Sequence, residues 1–202
     1  MVQDGLSGIE LGTPGGVEID AAEGAFAVHQ GRLRRLLSVD EGLLLAIQRF
    51  RRPRRTLLAR TLTSLGDGRS WTVAGLALVA TRTAWGVHLG LRLGAAVALA
   101  TIASQGLKRG LTRARPDSAI AGFEALAENP DRFSFPSGHT AAAFAVAAAF
   151  AGEPSGLGPL ALVLATGIGL SRVYLGAHYP LDVGAGAALG ALAGLVARLV
   201  VS

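Results

Sequence analysis

The sequence predicts an all-α integral membrane protein: a helical bundle of about five spanning helices, preceded by amphipathic helices on the membrane surface. Half of the 202 residues are hydrophobic and only 16% are charged, whereas a soluble domain carries about a quarter charged residues. Mean hydropathy is +0.45. The apolar mass is mainly Ala, Leu and Val, with 28 glycines and few aromatics, a composition that lets helices approach closely. Cysteine is absent, which excludes disulfides, thiol chemistry and thiolate-bound metal.

Each element follows from local pattern. Residues 1–31 are polar and glycine-rich, without the basic start and apolar stretch of a signal peptide, and are expected to form a disordered tail. Residues 32–69 are expected to form basic amphipathic interfacial helices. In them Leu36, Val39, Leu43, Ile47 and Phe50 recur at helical spacing, with Asp40, Gln48 and Arg49 on other faces. The run Arg49 to Arg55 introduces a second amphipathic piece ending near Gly66, its arginines suited to lipid headgroups. Residues 70–202 form the membrane domain, with spans near 70–84, 87–107, 138–152, 157–171 and 180–201. Several fall short of the ~20 residues of a full crossing, so they must extend into the interface or the bilayer must adapt. Trp71 and Trp85 bracket the first span as expected interfacial anchors.

Three polar clusters interrupt the apolar chain, each at the end of a predicted span. They are Lys108 to Pro116, Phe135 to His139, and Ser171 to Asp182. The loop from the first to the second crosses nothing, and the next two spans make a round trip, so all three share one membrane face. Lys108 is the one lysine among 19 basic residues.

This set suits a phosphate ester. Phosphoryl transfer develops charge on equatorial oxygens, which fixed cations stabilise. Arg115 and Arg172 offer planar forks, and Lys108 a compact charge. Ser137 and Gly138 sit where a helix begins, so backbone N–H groups and the Ser137 hydroxyl make an anion cradle there. His178 precedes Asp182 by four residues. A carboxylate accepting from one ring nitrogen leaves the other free to attack phosphorus. His139 is then available to protonate the leaving alkoxide and afterwards to activate water. The scheme needs no metal and no other cofactor.

The residues resemble the type 2 phosphatidic acid phosphatase superfamily, which shares its site with bacterial acid phosphatases and vanadium haloperoxidases. Its pattern is K-x6-RP, PSGH and SR-x5-H-x3-D. Lys108 with Arg115-Pro116, Pro136-Ser137-Gly138-His139, and Ser171-Arg172 with His178 and Asp182 match it, and the resemblance covers roughly residues 60–201. It implies a lipid phosphatase with His178 as nucleophile, Asp182 as its orienting partner and His139 as acid. It also implies that Lys108, Arg115, Ser137, Gly138 and Arg172 hold the phosphate, without a metal cofactor. The expected substrate is a phospholipid or polyprenyl phosphate: phosphatidate, phosphatidylglycerol phosphate or a polyprenyl (di)phosphate. Six spans are common in the family, and the region before Trp71 lacks a convincing first one. Shorter relatives resemble phosphatases of polyprenyl phosphates and polyprenyl-linked sugars.

Competing functions fare worse. A haloperoxidase is expected to be soluble and larger, and a non-catalytic polyprenyl-lipid binding or transport protein needs no paired acid and nucleophile. A nucleic-acid partner is not expected, because the basic run is expected to lie against the membrane and Phe50 is its one aromatic. The protein is therefore expected in the cell membrane as a multi-pass protein. Nine arginines between Gly31 and Arg60 lie on the site's side of the first span, against Arg82, Arg92 and Arg198 opposite. The positive-inside rule then puts the site on the cytoplasmic face.

Overall fold

A computed structural model describes residues 32, 34–128 and 131–202 and divides into two compact units, 1–39 and 40–202. The tail expected over 1–31 lies outside the described residues. In the first unit residues 34–39 are helical.

The second unit is helical throughout its regular structure. It opens with helical residues 40–48 (α1), followed by α2 (Pro53–Leu65), α3 (Gly68–Ala80) and α4 (Ala84–Leu111). The short α5 (Pro116–Ala119) precedes α6 (Gly138–Ala149), α7 (Leu157–Tyr174) and α8 (Pro180–Val200). Local chemistry sets these ends. Proline occupies the first turn of α2, α5 and α8, where its missing N–H costs nothing. The Thr83 hydroxyl accepts from Gly86 N at 3.0 Å and caps α4. Asp182 Oδ2 accepts from Tyr179 N at 2.9 Å and closes the start of α8.

The five predicted spans all appear as helices, but α4, α7 and α8 alone among the described residues are long and apolar enough to cross a membrane. The 13 residues of α3 and 12 of α6 rise only about 18–20 Å at 1.5 Å per residue, against a hydrocarbon core of about 30 Å. The count of five is approximate for that reason. Rows of exposed apolar residues, such as Ile102 on α4, Val163 on α7 and Leu192 and Leu199 on α8, present the face that lipid covers in a membrane protein of this kind.

The bundle centres on α6 and α8. Gly186, Gly190 and Gly194 recur every four residues on one face of α8, and a β-carbon on Gly190 or Gly194 would overlap the carbonyls of Ala141 or Ala145. Small residues at this spacing let two helix backbones meet. The core continues in kind through Ala96 and Ala100 of α4, joined by Leu89, Leu93, Phe150 and Ile168. Helix α2 packs along α7. Leu62 fits against Gly167, and the Thr56 hydroxyl lies 3.2 Å from the Tyr174 hydroxyl. Trp71 departs from expectation: it is buried in the core and donates its indole N–H to Gly66 O at 3.2 Å. Trp85 is half-exposed. The site's end of the bundle is thus held by α6 against α8 and by α2 against α7.

Candidate active site

The cations come from three helix ends. Lys108 lies in the last turn of α4, which extends through Leu111 before Thr112 turns left-handed at φ 37°. Arg115 follows that turn, and Arg172 occupies the last turn of α7. All three are buried. Basic side chains at helix C-termini also meet the negative end of the dipole.

The loop carboxylate of Asp131 ties two of them together. Lys108 Nζ donates to Asp131 Oδ2 at 2.6 Å, Arg115 Nη2 donates to Oδ1, and Arg115 Nε donates to the Asp131 carbonyl at 2.8 Å. Burial alone would raise this carboxyl, but the bonds from Lys108 and Arg115 outweigh it and hold Asp131 below the usual carboxylate range. Arg172 donates to the Thr63 hydroxyl at 2.7 Å.

His178 sits in the turn between α7 and α8. Gly176 takes φ 76°, a conformation that favours glycine, and the chain doubles back so that Ala177 N and His178 N both bond Arg172 O. Arg115 Nη1 donates to the Ala177 carbonyl at 2.8 Å and approaches His178 Nε2 at 3.4 Å. A guanidinium only donates, so Nε2 carries the lone pair and the ring proton belongs on Nδ1. That nitrogen faces Asp182 Oδ2 at 3.6 Å. Burial, and then Arg172, Arg115 and Lys108, push the imidazole well below its ordinary pKa. His178 is therefore neutral, as a nucleophile must be.

His139 stands in the first turn of α6. Its Nε2 lies 2.7 Å from Asp67 Oδ1, and since a carboxylate only accepts, Nε2 carries a proton. A β-carbon on Gly66 would crowd Ile168 at 2.7 Å and the His139 ring at 3.3 Å, so glycine there lets the α2–α3 turn reach the histidine. Gly138, His139, Lys108, Arg115, Arg172 and His178 line one cavity of about 190 Å³. A second, of about 860 Å³, shares His139 and Arg172 with the first and has Arg60, Asp67, Arg69 and Glu128 on its walls.

The structure thus brings together seven of the eight residues expected from sequence around His178, and adds Asp67, Thr63 and Asp131. Ser137 stands apart. It is buried, its hydroxyl accepts from Thr140 Oγ1 at 2.9 Å, and its N–H donates to the Asp182 carbonyl at 3.0 Å. It joins the start of α6 to the start of α8. Asp40, placed by its spacing on the polar face of α1, is instead buried against Arg113.

A family model described as the PAP2 superfamily matches residues 89–202. The chain belongs to that superfamily. Among characterised members, this PAP2 chain is 36% identical over 150 residues to the decaprenylphosphoryl-5-phosphoribose phosphatase of Mycobacterium tuberculosis. The match covers 72% of this chain and 80% of that protein. It is 39% identical over 98 residues to the lipid A 1-phosphatase of Rhizobium johnstonii, covering 46% of this chain and 40% of that one. Of solved structures, it resembles the transmembrane PAP2-type phosphatidylglycerolphosphate phosphatase of Bacillus subtilis. The TM-score is 0.68 at 27% identity, covering 82% of this chain and 86% of the other. It resembles Aquifex aeolicus LpxE at TM-score 0.66 and 30% identity, covering 77% and 92%. This PAP2 protein is a membrane lipid phosphatase.

Proposed function

We propose that the protein removes a terminal phosphate from a polyprenyl-phosphoryl sugar phosphate, through a phosphohistidine formed on His178. The observation that carries the mechanism is the convergence of Lys108, Arg115 and Arg172 on one cavity with the lone-pair nitrogen of His178. The phosphate enters that cavity and takes over the bonds that Asp131 now accepts. His139 enters as an imidazolium favoured by the incoming phosphate's negative charge. Nε2 of His178 attacks phosphorus, the bond to the leaving oxygen breaks, and His139 gives that oxygen its second ring proton while Asp67 keeps the Nε2 proton. Water then attacks phosphorus with His139 as base, the P–N bond breaks, and neutral His178 returns. Gly138 N at the start of α6 contributes a backbone donor to the phosphate. Ser137 supports that donor by holding α6 against α8.

The substrate class is supported by two observations. The relative that aligns over most of both chains acts on a decaprenylphosphoryl phosphoribose. The larger cavity beside His139 is walled by Arg60, Ser64, Asp67, Arg69 and Glu128, a lining that suits a polar leaving group such as a sugar better than a bare alkyl chain. The nine arginines between Gly31 and Arg60 support a cytoplasmic face for the site in the cell membrane. Reporters fused at both termini test that placement, and an outward loop between Lys108 and Phe135 overturns it.

The function is tested by phosphate release from detergent-purified protein, with and without EDTA, on four lipids. They are a polyprenyl-phosphoryl sugar phosphate, phosphatidylglycerol phosphate, phosphatidate and undecaprenyl diphosphate. The sugar phosphate is expected to be cleaved fastest, with no loss to chelator. His178→Ala is expected to lose roughly 10³-fold or more. Preference for another of the four overturns the substrate, and an active His178→Ala overturns the mechanism.

A further inference from the structure

Behind His178 and Asp182 lies a layer that the matched motifs do not include. Arg113 Nη1 donates to Asp182 Oδ1 at 2.7 Å, and its Nη2 donates to Asp40 Oδ2 at the same distance. Asp40 Oδ1 accepts from Leu181 N at 2.8 Å, in the first turn of α8. The guanidinium also stacks over the Tyr179 ring, 4.0 Å from its centroid. Both carboxylates are essentially inaccessible: side-chain exposure is 1% for Asp40 and 0% for Asp182.

The charges in this layer do not cancel. One guanidinium between two carboxylates leaves a net charge of minus one, buried behind His178. An Arg113–Asp182 pair alone would be neutral and would offer the histidine little. Burying a second carboxylate is costly unless something is gained by it.

We propose that Arg113 and Asp40 are positioning residues for the phosphatase reaction, forming with Asp182 a net-anionic cluster that offsets the positive charge on phosphorylated His178. The charge change follows from the bonds made. Neutral His178 keeps its proton on Nδ1 while Nε2 bonds to phosphorus, so the ring becomes cationic as the leaving oxygen departs. When water cleaves the P–N bond the ring is neutral again. The cluster is poised for the intermediate rather than for the resting enzyme. Arg113 meanwhile donates to Asp182 Oδ1 and Tyr179 N donates to Oδ2, which together hold Oδ2 at 3.6 Å from His178 Nδ1.

The proposal rests on His178 being the nucleophile. The other charged groups facing it are Lys108 from α4, Arg115 and Asp131 from the connection to α6, His139 from α6, and Arg172 from α7. Tyr179 and Ser134 face Asp182. None of these is altered in the test. Asp40→Asn keeps an oxygen for Leu181 N and removes one negative charge, and Arg113→Gln removes one positive charge.

Both variants are read by the pH profile of kcat/KM in the full-length protein in detergent, with melting temperature measured alongside. Less negative charge disfavours protonation of His178, so Asp40→Asn shifts the acid limb to lower pH. Arg113→Gln shifts it to higher pH. In Asp40→Asn kcat is expected to fall roughly 10-fold with KM within about twofold. Trapping in alkali-quenched samples, where the P–N bond survives, is expected to show less phosphoenzyme in Asp40→Asn than in wild type. Limbs that stay at the wild-type pH, or that move in the same direction, overturn the proposal and leave a structural brace. Should His178 not be the nucleophile, His178→Ala retains activity, a result independent of either variant.

Discussion

The bundle buries arginines toward both ends of α4, and the two regions use them differently. Arg92 donates to Glu153 from Nη1 and to the Val201 carbonyl from Nε, and its Nη2 meets His88. That set ties α4 to the α6–α7 turn and to the end of α8. Sixteen residues further along, about 24 Å by helical rise, Lys108 joins Arg115 and Arg172 around a cavity. Each cation there is held by a carboxylate, carbonyl or hydroxyl of another segment, yet the three still face a common space. The difference teaches how to read a buried cation in an apolar chain. One consumed by a local clamp is architecture, and several sharing a cavity are a binding site, because mutual repulsion is sustained only where an anion is to come.

Exchanging each arginine for methionine tests that contrast. Arg172→Met is expected to reduce kcat/KM by roughly 10²–10³-fold, the scale for losing one preorganised charge donor at a transition state. Its melting temperature should stay near that of the wild type, since one member of a repelling group has gone. Arg92→Met should do the reverse. It leaves the half-buried Glu153 without its cation, at a cost of about 1–3 kcal/mol, while turnover per folded molecule stays within about twofold. Thermal melts and lipid assays on the two purified proteins decide it. Equal losses of activity in both would dissolve the distinction.

The motif residues were legible because their spacing is local and their chemistry is specific. Lys108, Arg115, Gly138, His139, Arg172, His178 and Asp182 converge where helix ends had been expected. The supporting residues were not legible. Arg113 reaches Asp40 across 73 positions, and no period in the sequence separates it from Arg109 beside it. Asp40 lies one turn before the fully buried Leu44, while Leu43 of the expected apolar stripe stays exposed; amphipathic spacing therefore marked Asp40 as solvated when a remote guanidinium makes it a core residue. Asp67 and Thr63 belong to a segment read as interfacial, yet the α2–α3 turn reaches His139 because Gly66 carries no side chain. The spans were legible as helices but not in length. The Phe150–Glu153 turn ends α6, and Glu153 is held there by Arg92, a contact made with another helix.

Glycine spacing carries the same contrast into packing. Gly190→Leu is expected to force α6 and α8 apart, because its side chain would occupy the space of the Ala141 carbonyl. Overpacking of this kind costs about 1–3 kcal/mol or more. Gly184, also on α8, has open space where a β-carbon would go, so Gly184→Leu should melt within a degree or two of wild type. The site should weaken only in the first variant, since Ser137 N and the Asp182 carbonyl meet across that interface.

The smallest effect concerns the anion already at the cations. Asp131 differs from Glu153: its side chain is about a quarter exposed, and its partners are the groups that bind phosphate. Substrate must displace it, so Asp131→Asn is expected to bind orthovanadate several-fold more tightly in inhibition assays. The pH dependence of that gain follows from the sign of the shift. The Asp131 carboxyl is held below its ordinary value, so it stays ionised throughout pH 5 to 8 and competes equally across that range. The stability this anion contributes is present above the unfolded pKa and is lost only as pH falls through the lower folded one. The ratio of variant to wild-type affinity should therefore be flat from pH 5 to 8. A ratio that collapses toward one at the acid end of that range would mean that Asp131 is already protonated there, and that the phosphate cations hold it less firmly than their geometry indicates.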